Sequence, residues 1–204
     1  MLSMSVSLDG VAGPNEADAD GMTMFNVVLG WVYPLHSWRH EQGLEGGDDS
    51  VDSKVWAENF AQFGAQIIGR RMFDCGYPNW GDNPPFHAPV FVLTHRGGDR
   101  IEKDGGTSYT FVIDGIDRAV ARARAVANGK DVLLAGGVSL AQQALAAGLV
   151  DEVVLHVTPV ELGRRIRLFS TDQFNLRCVE TTQGENAVHL RYEVIPDPAE
   201  TSAL

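Results

Sequence analysis

The sequence predicts an α/β fold: one central, mixed and mostly parallel sheet flanked by helices and closed by an antiparallel hairpin. Three observations carry this. Short apolar runs alternate with helix-like segments through the first two thirds of the 204 residues, the pattern of parallel strands joined by crossover helices. Several of those runs stop at glycine or a basic residue and turn directly into helix-like sequence. The last third changes to long alternating segments separated by a tight turn, the pattern of antiparallel strands.

In chain order, residues 3–8 (SMSVSL) alternate small polar with apolar and read as a strand. Asp9-Gly10 turns into a Gly/Pro/Asp-rich stretch reaching Gly21, and residues 25–38 hold Trp31, Tyr33 and Trp38 without a clean period. Residues 41–53 are acidic, glycine-rich and expected as exposed loop. A helix is expected over 49–63, with Val55, Trp56, Asn59, Phe60 and Phe63 as its inward stripe. AQIIG at 65–69 reads as a buried strand, and Arg70, Arg71, Met72 and Phe73 open a short helix. The proline-rich stretch 75–89 is loop. Strands are expected at 89–94, 109–113 and 131–135, with helices over 115–128 and 139–147. In the first of these helices Ala119, Val120, Ala123, Val126 and Ala127 are expected to face inward, and Arg118, Arg122 and Arg124 outward. Strands follow at 151–160, 174–182 and 186–195, the last two joined at Gln183-Gly184-Glu185. One domain over 1–195 and a frayed tail over 196–204 are expected, with no internal repeat.

Composition narrows the function. A formal net charge of −11 argues against nucleic-acid binding driven by the whole-molecule field, yet leaves room for a local basic pocket. Cys75 and Cys178 are the two cysteines, and without a leader-like start they are expected as free thiols of a cytoplasmic protein. No apolar run approaches the roughly 20 residues needed to cross a bilayer. No C-x-x-C pattern is present and no metal is expected, and there is no G-x-S-x-G elbow. His156, in an alternating strand, reads as a satisfied sheet histidine.

Three strand ends carry the chemistry. VLLAGGVSL (132–140) places Gly136 and Gly137 between a strand and a helix. There bare backbone and the positive end of the helix suit a phosphate, and Ser139 can cap the helix or bond an oxygen. IIGRRMF (67–73) is a second such turn carrying two arginines, and VLTHR (92–96) a third ending in Thr94, His95 and Arg96. In an open α/β sheet ligands gather at the carboxyl ends of strands, so together these ends predict a dinucleotide site.

Taken in order, SVSLDGVAGP, IIGRRMFD, PVFVLTHR, TFVIDGI, VLLAGGVSLAQQALAAGLVDEVVLHVTPVELG and RLF resemble the reductase domain of bacterial riboflavin biosynthesis, the RibD C-terminal type, over about residues 4–195. The resemblance implies a dihydrofolate reductase-like fold and a homodimer formed through the strands of the C-terminal third. It implies that Gly69, Arg70, Arg71 and Met72 hold cofactor phosphate. It also implies that Thr94, His95 and Arg96 surround the 2′-phosphate of NADPH, and that Gly136, Gly137, Val138, Ser139 and Leu140 take the pyrophosphate. The arginine fork suits a dianionic 2′-phosphate. Ser7, Leu8 and Asp9 match the family's S-L-D-G turn, and an acid on the first long helix, Asp49 or Asp52, is the implied proton donor or substrate anchor. Each of these acids also has a plain structural role open to it: Asp9 in a turn, the other two at a helix N-terminus. Trp31, Trp38 and Trp56 either wall an aromatic substrate or fill the core. The implied activity is NADPH-dependent hydride transfer to a small heterocyclic or sugar-derived substrate, namely the riboflavin-precursor reductase step. Dihydrofolate reduction and nucleotide binding without turnover are the alternatives. The chain departs from the family at PVELGRRI, where Glu161 and Arg164-Arg165 replace an apolar residue and a glycine. No zinc motif of the family's deaminase half is present, so the reductase step alone is expected.

Overall fold

The computed structural model of the chain describes residues 1–14, 21–163, 165–169 and 174–195. The tail expected over 196–204, residues 15–20 of the Gly/Pro/Asp-rich stretch, and Arg164 lie outside the described residues. The chain begins with β1 (Leu2–Ser7), β2 (Val11–Gly13), α1 (Gly21–Val28), α2 (His36–Glu41) and α3 (Val51–Ala61). It continues through β3 (Phe63–Gly69), α4 (Arg70–Gly76), β4 (Pro89–Leu93), β5 (Ile101–Glu102), β6 (Ser108–Val112), α5 (Ile116–Val126), β7 (Asp131–Gly136) and α6 (Val138–Ala146). It closes with β8 (Glu152–Thr158), β9 (Ile166–Arg167), β10 (Asn175–Gln183) and β11 (Val188–Ile195).

The main sheet runs β10-β11-β8-β1-β7-β3-β4-β6-β5. Its middle six strands, β8 to β6, are mutually parallel. β11 is antiparallel to both β8 and β10, and β5 is antiparallel to β6. β2 and β9 form a separate two-stranded pair. The expected mixed, mostly parallel sheet with a closing hairpin is therefore present. Among the described residues no helix is long and apolar enough to cross a membrane.

The alternation of β1 decides the two faces of the sheet. Leu2, Met4 and Val6 join the main core beneath α5 and α6. Ser3, Ser5 and Ser7 face the other way, where Trp31 Nε1 donates to Ser5 Oγ at 3.0 Å. On α5, Ile116, Ala119, Val120 and Ala123 are buried at helical spacing. Ala127, just past the helix, is buried as expected, but Val126 is exposed: it falls on the outer side of the last turn.

The expectation for α3 needs correcting. Its buried residues are Asp52, Ser53 and Asn59, while Val55, Trp56 and Phe60 are only partly covered and Phe63 belongs to β3. The reason is that the surfaces α3 covers, on α2 and on β11, are polar. Ser37 N donates to Ser53 Oγ at 3.0 Å, and Arg191 Nη2 donates to Asn59 Oδ1 at 3.3 Å. A helix packed on a polar face buries its polar side, because its partners are there. Sequence reasoning also missed α1, α2, β2, β5 and β9, none of them longer than eight residues.

Beside Trp56 of α3 lies a shifted acid, the last residue of α2. Trp56 Nε1 donates to Glu41 Oε2 at 3.0 Å, and burial pushes the Glu41 carboxyl up to about 7. The folded protein thus keeps a proton that the unfolded chain releases near 4.5. Stability is expected to fall as pH rises from 4.5 to 7 and to level off above that. Glu41→Gln, which keeps an acceptor for Trp56, is expected to raise the thermal midpoint at pH 8 and leave it unchanged at pH 4. Melts at the two pH values check this.

Candidate functional site

The carboxyl ends of the six parallel strands lie along one edge of the sheet. Because β7, β3 and β4 are consecutive neighbours, the three motifs from distant parts of the chain stand side by side there, one strand spacing of about 4.8 Å apart.

At the end of β7, Gly136 has φ 156° and Gly137 φ 97°, and α6 begins at the next residue. L-residues avoid this backbone. The packing is also close: a Cβ on Gly136 would lie 2.6 Å from Met72 Sδ, and one on Gly69 would lie 3.5 Å from Gly136 O. Val138 and Leu140 are buried in the main core, so they present only backbone to this edge. Ser139 is exposed, and its Oγ accepts from Gln143 Nε2 at 3.1 Å. The first-turn N–H groups of α6 have no helical acceptors, which gives this turn the makings of an anion site.

At the ends of β3 and β4 two arginines converge. Arg70 Nε donates to Asp74 Oδ1 at 2.7 Å, and Arg96 Nη2 donates to Asp74 Oδ2 at 3.1 Å. One carboxylate shared by two guanidiniums leaves the trio one positive charge. Arg70 also lies over the rings of Phe111 and Phe73, at 5.5 and 5.7 Å. Thr94 Oγ1 accepts from Arg96 N at 3.0 Å, which fixes the turn after β4. The structure thus gathers Gly69, Arg70, Met72, Thr94, Arg96, Gly136 and Gly137 on one edge. Arg71 and His95 are exposed beside them.

The three acids are placed differently from one another. Asp49 is exposed and lies before α3 rather than on it. Asp9 follows β1, where Leu8 is 74% exposed. Its Oδ1 accepts from Ser7 Oγ at 2.6 Å and from Leu162 N at 3.1 Å, and its Oδ2 from Gly163 N at 2.9 Å. It therefore clasps the β1–β2 turn to the loop after β8, the loop that carries Glu161. These donors, Ser7 first and Leu162 next, hold the Asp9 carboxyl down at about 2. A lowered acid stabilises the fold above its unfolded value of 3.8, and that contribution is lost as pH falls toward 2. The thermal midpoint of the wild type is expected to fall more steeply between pH 4 and 2 than that of Asp9→Asn, which melts across that range will show.

Asp52 is fully buried in the first turn of α3, behind the N-cap Ser50. Its Oδ1 accepts from His189 Nε2 at 2.8 Å, and its Oδ2 accepts from Asn186 N at 2.9 Å and Asn186 Nδ2 at 3.3 Å. A Cβ at residue 184 would collide with Asp52 Oδ1, so the hairpin turn needs Gly184 there. His189 Nδ1 lies 2.8 Å from His156 Nδ1, and His156 Nε2 lies 3.1 Å from Ser3 Oγ. His156 is the satisfied sheet histidine its strand implied, but its partners had not been foreseen. The available signal was the shared face of two alternating strands, His156 standing opposite His189 in register. Trp31 packs on both rings, at 4.8 and 5.2 Å, and is 4% exposed, so it fills the core here; Trp38 and Trp56 are packed against that cluster.

Sheet order, hairpin and strand-end turns together define an α/β protein of the dihydrofolate reductase-like fold, with glycine turns and arginines at the carboxyl edge of its parallel strands. The chain belongs to the RibD C-terminal domain family, whose model matches residues 1–190. Among curated protein sequences no relative matches. Solved structures share the fold. A protein assigned to riboflavin biosynthesis from Shewanella sp. PV-4 is 18% identical, with 96% of this chain and 98% of that one covered at a TM-score of 0.65. The diaminohydroxyphosphoribosylaminopyrimidine deaminase/5-amino-6-(5-phosphoribosylamino)uracil reductase of Thermotoga maritima is 14% identical, with 95% and 56% covered at 0.57. RibD of Acinetobacter baumannii is 16% identical, with 95% and 57% covered at 0.56. This chain spans just over half the length of the last two.

Proposed function

We propose that this protein is an NADPH-dependent reductase that delivers hydride to a C=N or C=O carbon of a small heterocyclic or sugar-derived substrate. The reductase half named for the Thermotoga maritima protein makes 5-amino-6-(5-phosphoribosylamino)uracil chemistry the first to try. The observation that carries this reading is the juxtaposition of Gly136-Gly137, Gly69-Arg70 and Thr94-Arg96 on consecutive strands. The residues present fit a phosphorylated dinucleotide. A Cβ would crowd the space against Met72 that Gly136 leaves bare, and the Arg70–Asp74–Arg96 trio keeps one positive charge. Gly136 to Leu140 would hold the pyrophosphate through backbone N–H groups. Arg96, with Thr94, His95, Arg70 and Arg71, would take the 2′-phosphate. When bound, the dihydronicotinamide supplies the hydride. The chain's part is to orient the ring, exclude water and supply a proton, for which Asp52 is the proposed donor and Asp9 the organiser of the adjoining turn. A homodimer and a cytoplasmic location belong to the same reading.

Calorimetric titration with NADPH and then NADH tests it. NADH is expected to bind at least about tenfold more weakly, a difference of about 1.4 kcal/mol. Binding of neither removes the cofactor and the reductase with it. One observation favours a second reading, nucleotide binding without turnover: Asp52 already satisfies three donors. If substrate turns over and replacing Asp9, Asp49 and Asp52 in turn changes nothing, the assigned acids are wrong.

A further inference from the structure

Asp52, His189, His156 and Ser3 come from four elements, α3, β11, β8 and β1, and form one unbroken line of hydrogen bonds. The first three are buried; Ser3 is partly covered and forms the accessible end. A carboxylate only accepts, so His189 Nε2 carries a hydrogen. In a neutral ring His189 Nδ1 is then a lone pair, and the hydrogen in the 2.8 Å gap belongs to His156 Nδ1. His156 Nε2 is left as a lone pair and takes the Ser3 hydroxyl hydrogen. Each gap thus holds one hydrogen, all pointing toward Asp52.

The two rings sit in a shielded setting. Trp31 covers both of them. Arg191, on the strand of His189, is the nearby cation, and it is paired with Glu152 on β8 at 2.6 Å and with Glu180 on β10 at 3.6 Å. Burial, then His189 and Arg191, push His156 down to about 3.

We propose that these four residues form a proton relay through which the buried Asp52 carboxyl exchanges its proton. His189 and His156 act as positioning residues whose tautomers Asp52 dictates. The step balances. Ser3 Oγ takes a proton from solvent as its own hydroxyl hydrogen passes to His156 Nε2, His156 Nδ1–H passes to His189 Nδ1, and His189 Nε2–H passes to Asp52 Oδ1. Asp52 ends neutral, both rings end neutral, and both have exchanged tautomers; the reverse step returns the proton. The relay's use in the reaction rests on the reading of Asp52 as proton donor, whereas the relay itself does not.

The test is long-range ¹H–¹⁵N spectroscopy of ¹⁵N-histidine-labelled protein at pH 7, without cofactor. His189 is expected protonated at Nε2 and His156 at Nδ1, both neutral. Asp52→Asn is expected to reverse both. The two N–H groups of Asn186 keep the new carbonyl oxygen on their side, so the new amide donates to His189 Nε2, and the change runs on to His156, which Asp52 does not touch. A merely structural contact moves His189 alone. The proposal is overturned if His156 keeps its Nδ1 hydrogen in Asp52→Asn. If that variant does not fold, the wild-type spectra decide alone: any other tautomer pair, or an imidazolium at pH 7, overturns it. Failure of the donor reading looks different: Asp52→Asn then turns over 5-amino-6-(5-phosphoribosylamino)uracil with NADPH like the wild type, while the spectra stand and the relay with them.

Discussion

Gly137→Val is expected to abolish measurable NADPH binding, weakening it at least about a hundredfold, or about 2.7 kcal/mol. Two effects combine. Gly137 sits at φ 97° and ψ 113° as the residue that caps α6, a conformation in which a β-branched residue costs about 1–3 kcal/mol. The side chain would also stand where a pyrophosphate must approach the first-turn N–H groups, and that approach, rather than any side chain of Val138 or Leu140, supplies the proposed affinity. Calorimetry of the variant checks binding, and its thermal midpoint checks the fold. A well-folded Gly137→Val that binds NADPH as tightly as the wild type would place the phosphates elsewhere.

Asp52→Ala is expected to cost about 3–5 kcal/mol of stability. The substitution leaves the Asn186 N–H groups and His189 Nε2 facing a cavity. Hydrogen bonds to a charged group contribute about 1.5–3 kcal/mol each, and the buried His189 donor is left without its partner, whereas the exposed Asn186 can turn to water. For a chain of this size, about 2–4 °C per kcal/mol places the loss in thermal midpoint near 10 °C. Asp52→Asn is expected to lose far less, since its amide can meet the same partners. A thermal melt of Asp52→Ala within about 2 °C of the wild type would mean that α3 and the β10–β11 turn do not close on Asp52 in solution. The two substitutions separate roles that one residue combines: the alanine reads the hold of α3 on the hairpin, and the asparagine reads the proton.

Much of the fold was legible from local pattern. The runs of β3, β4 and β7 are apolar along their length because strands buried on both faces must be, and two of the three end at glycine, where the chain turns sharply into a helix. The stripe of α5 showed the apolar layer below the sheet. The strand-end motifs were legible for the same reason: glycines at a strand-to-helix turn and arginines beside them are local signals. α3 was not legible in this way. Its periodicity pointed Val55, Trp56 and Phe60 inward, yet the helix buries Asp52, Ser53 and Asn59. A period tells which residues share a face; it does not tell that the surface awaiting them is lined with serine and histidine.

By itself, then, the sequence determined the α/β class, the order of the longer elements, the closing hairpin and the three strand-end turns, because each depends on neighbours within a few residues. Only the tertiary structure decided what those pieces mean together. Sheet order set Gly136, Gly69 and Thr94 on adjacent strands although they lie far apart in the chain. The register of β11 on β8 set His189 against His156, and the hairpin turn brought Asn186 onto Asp52 across 134 residues. Contacts at such separations depend on pairing and packing of the whole sheet, and a buried carboxylate finds its donors only where that packing closes.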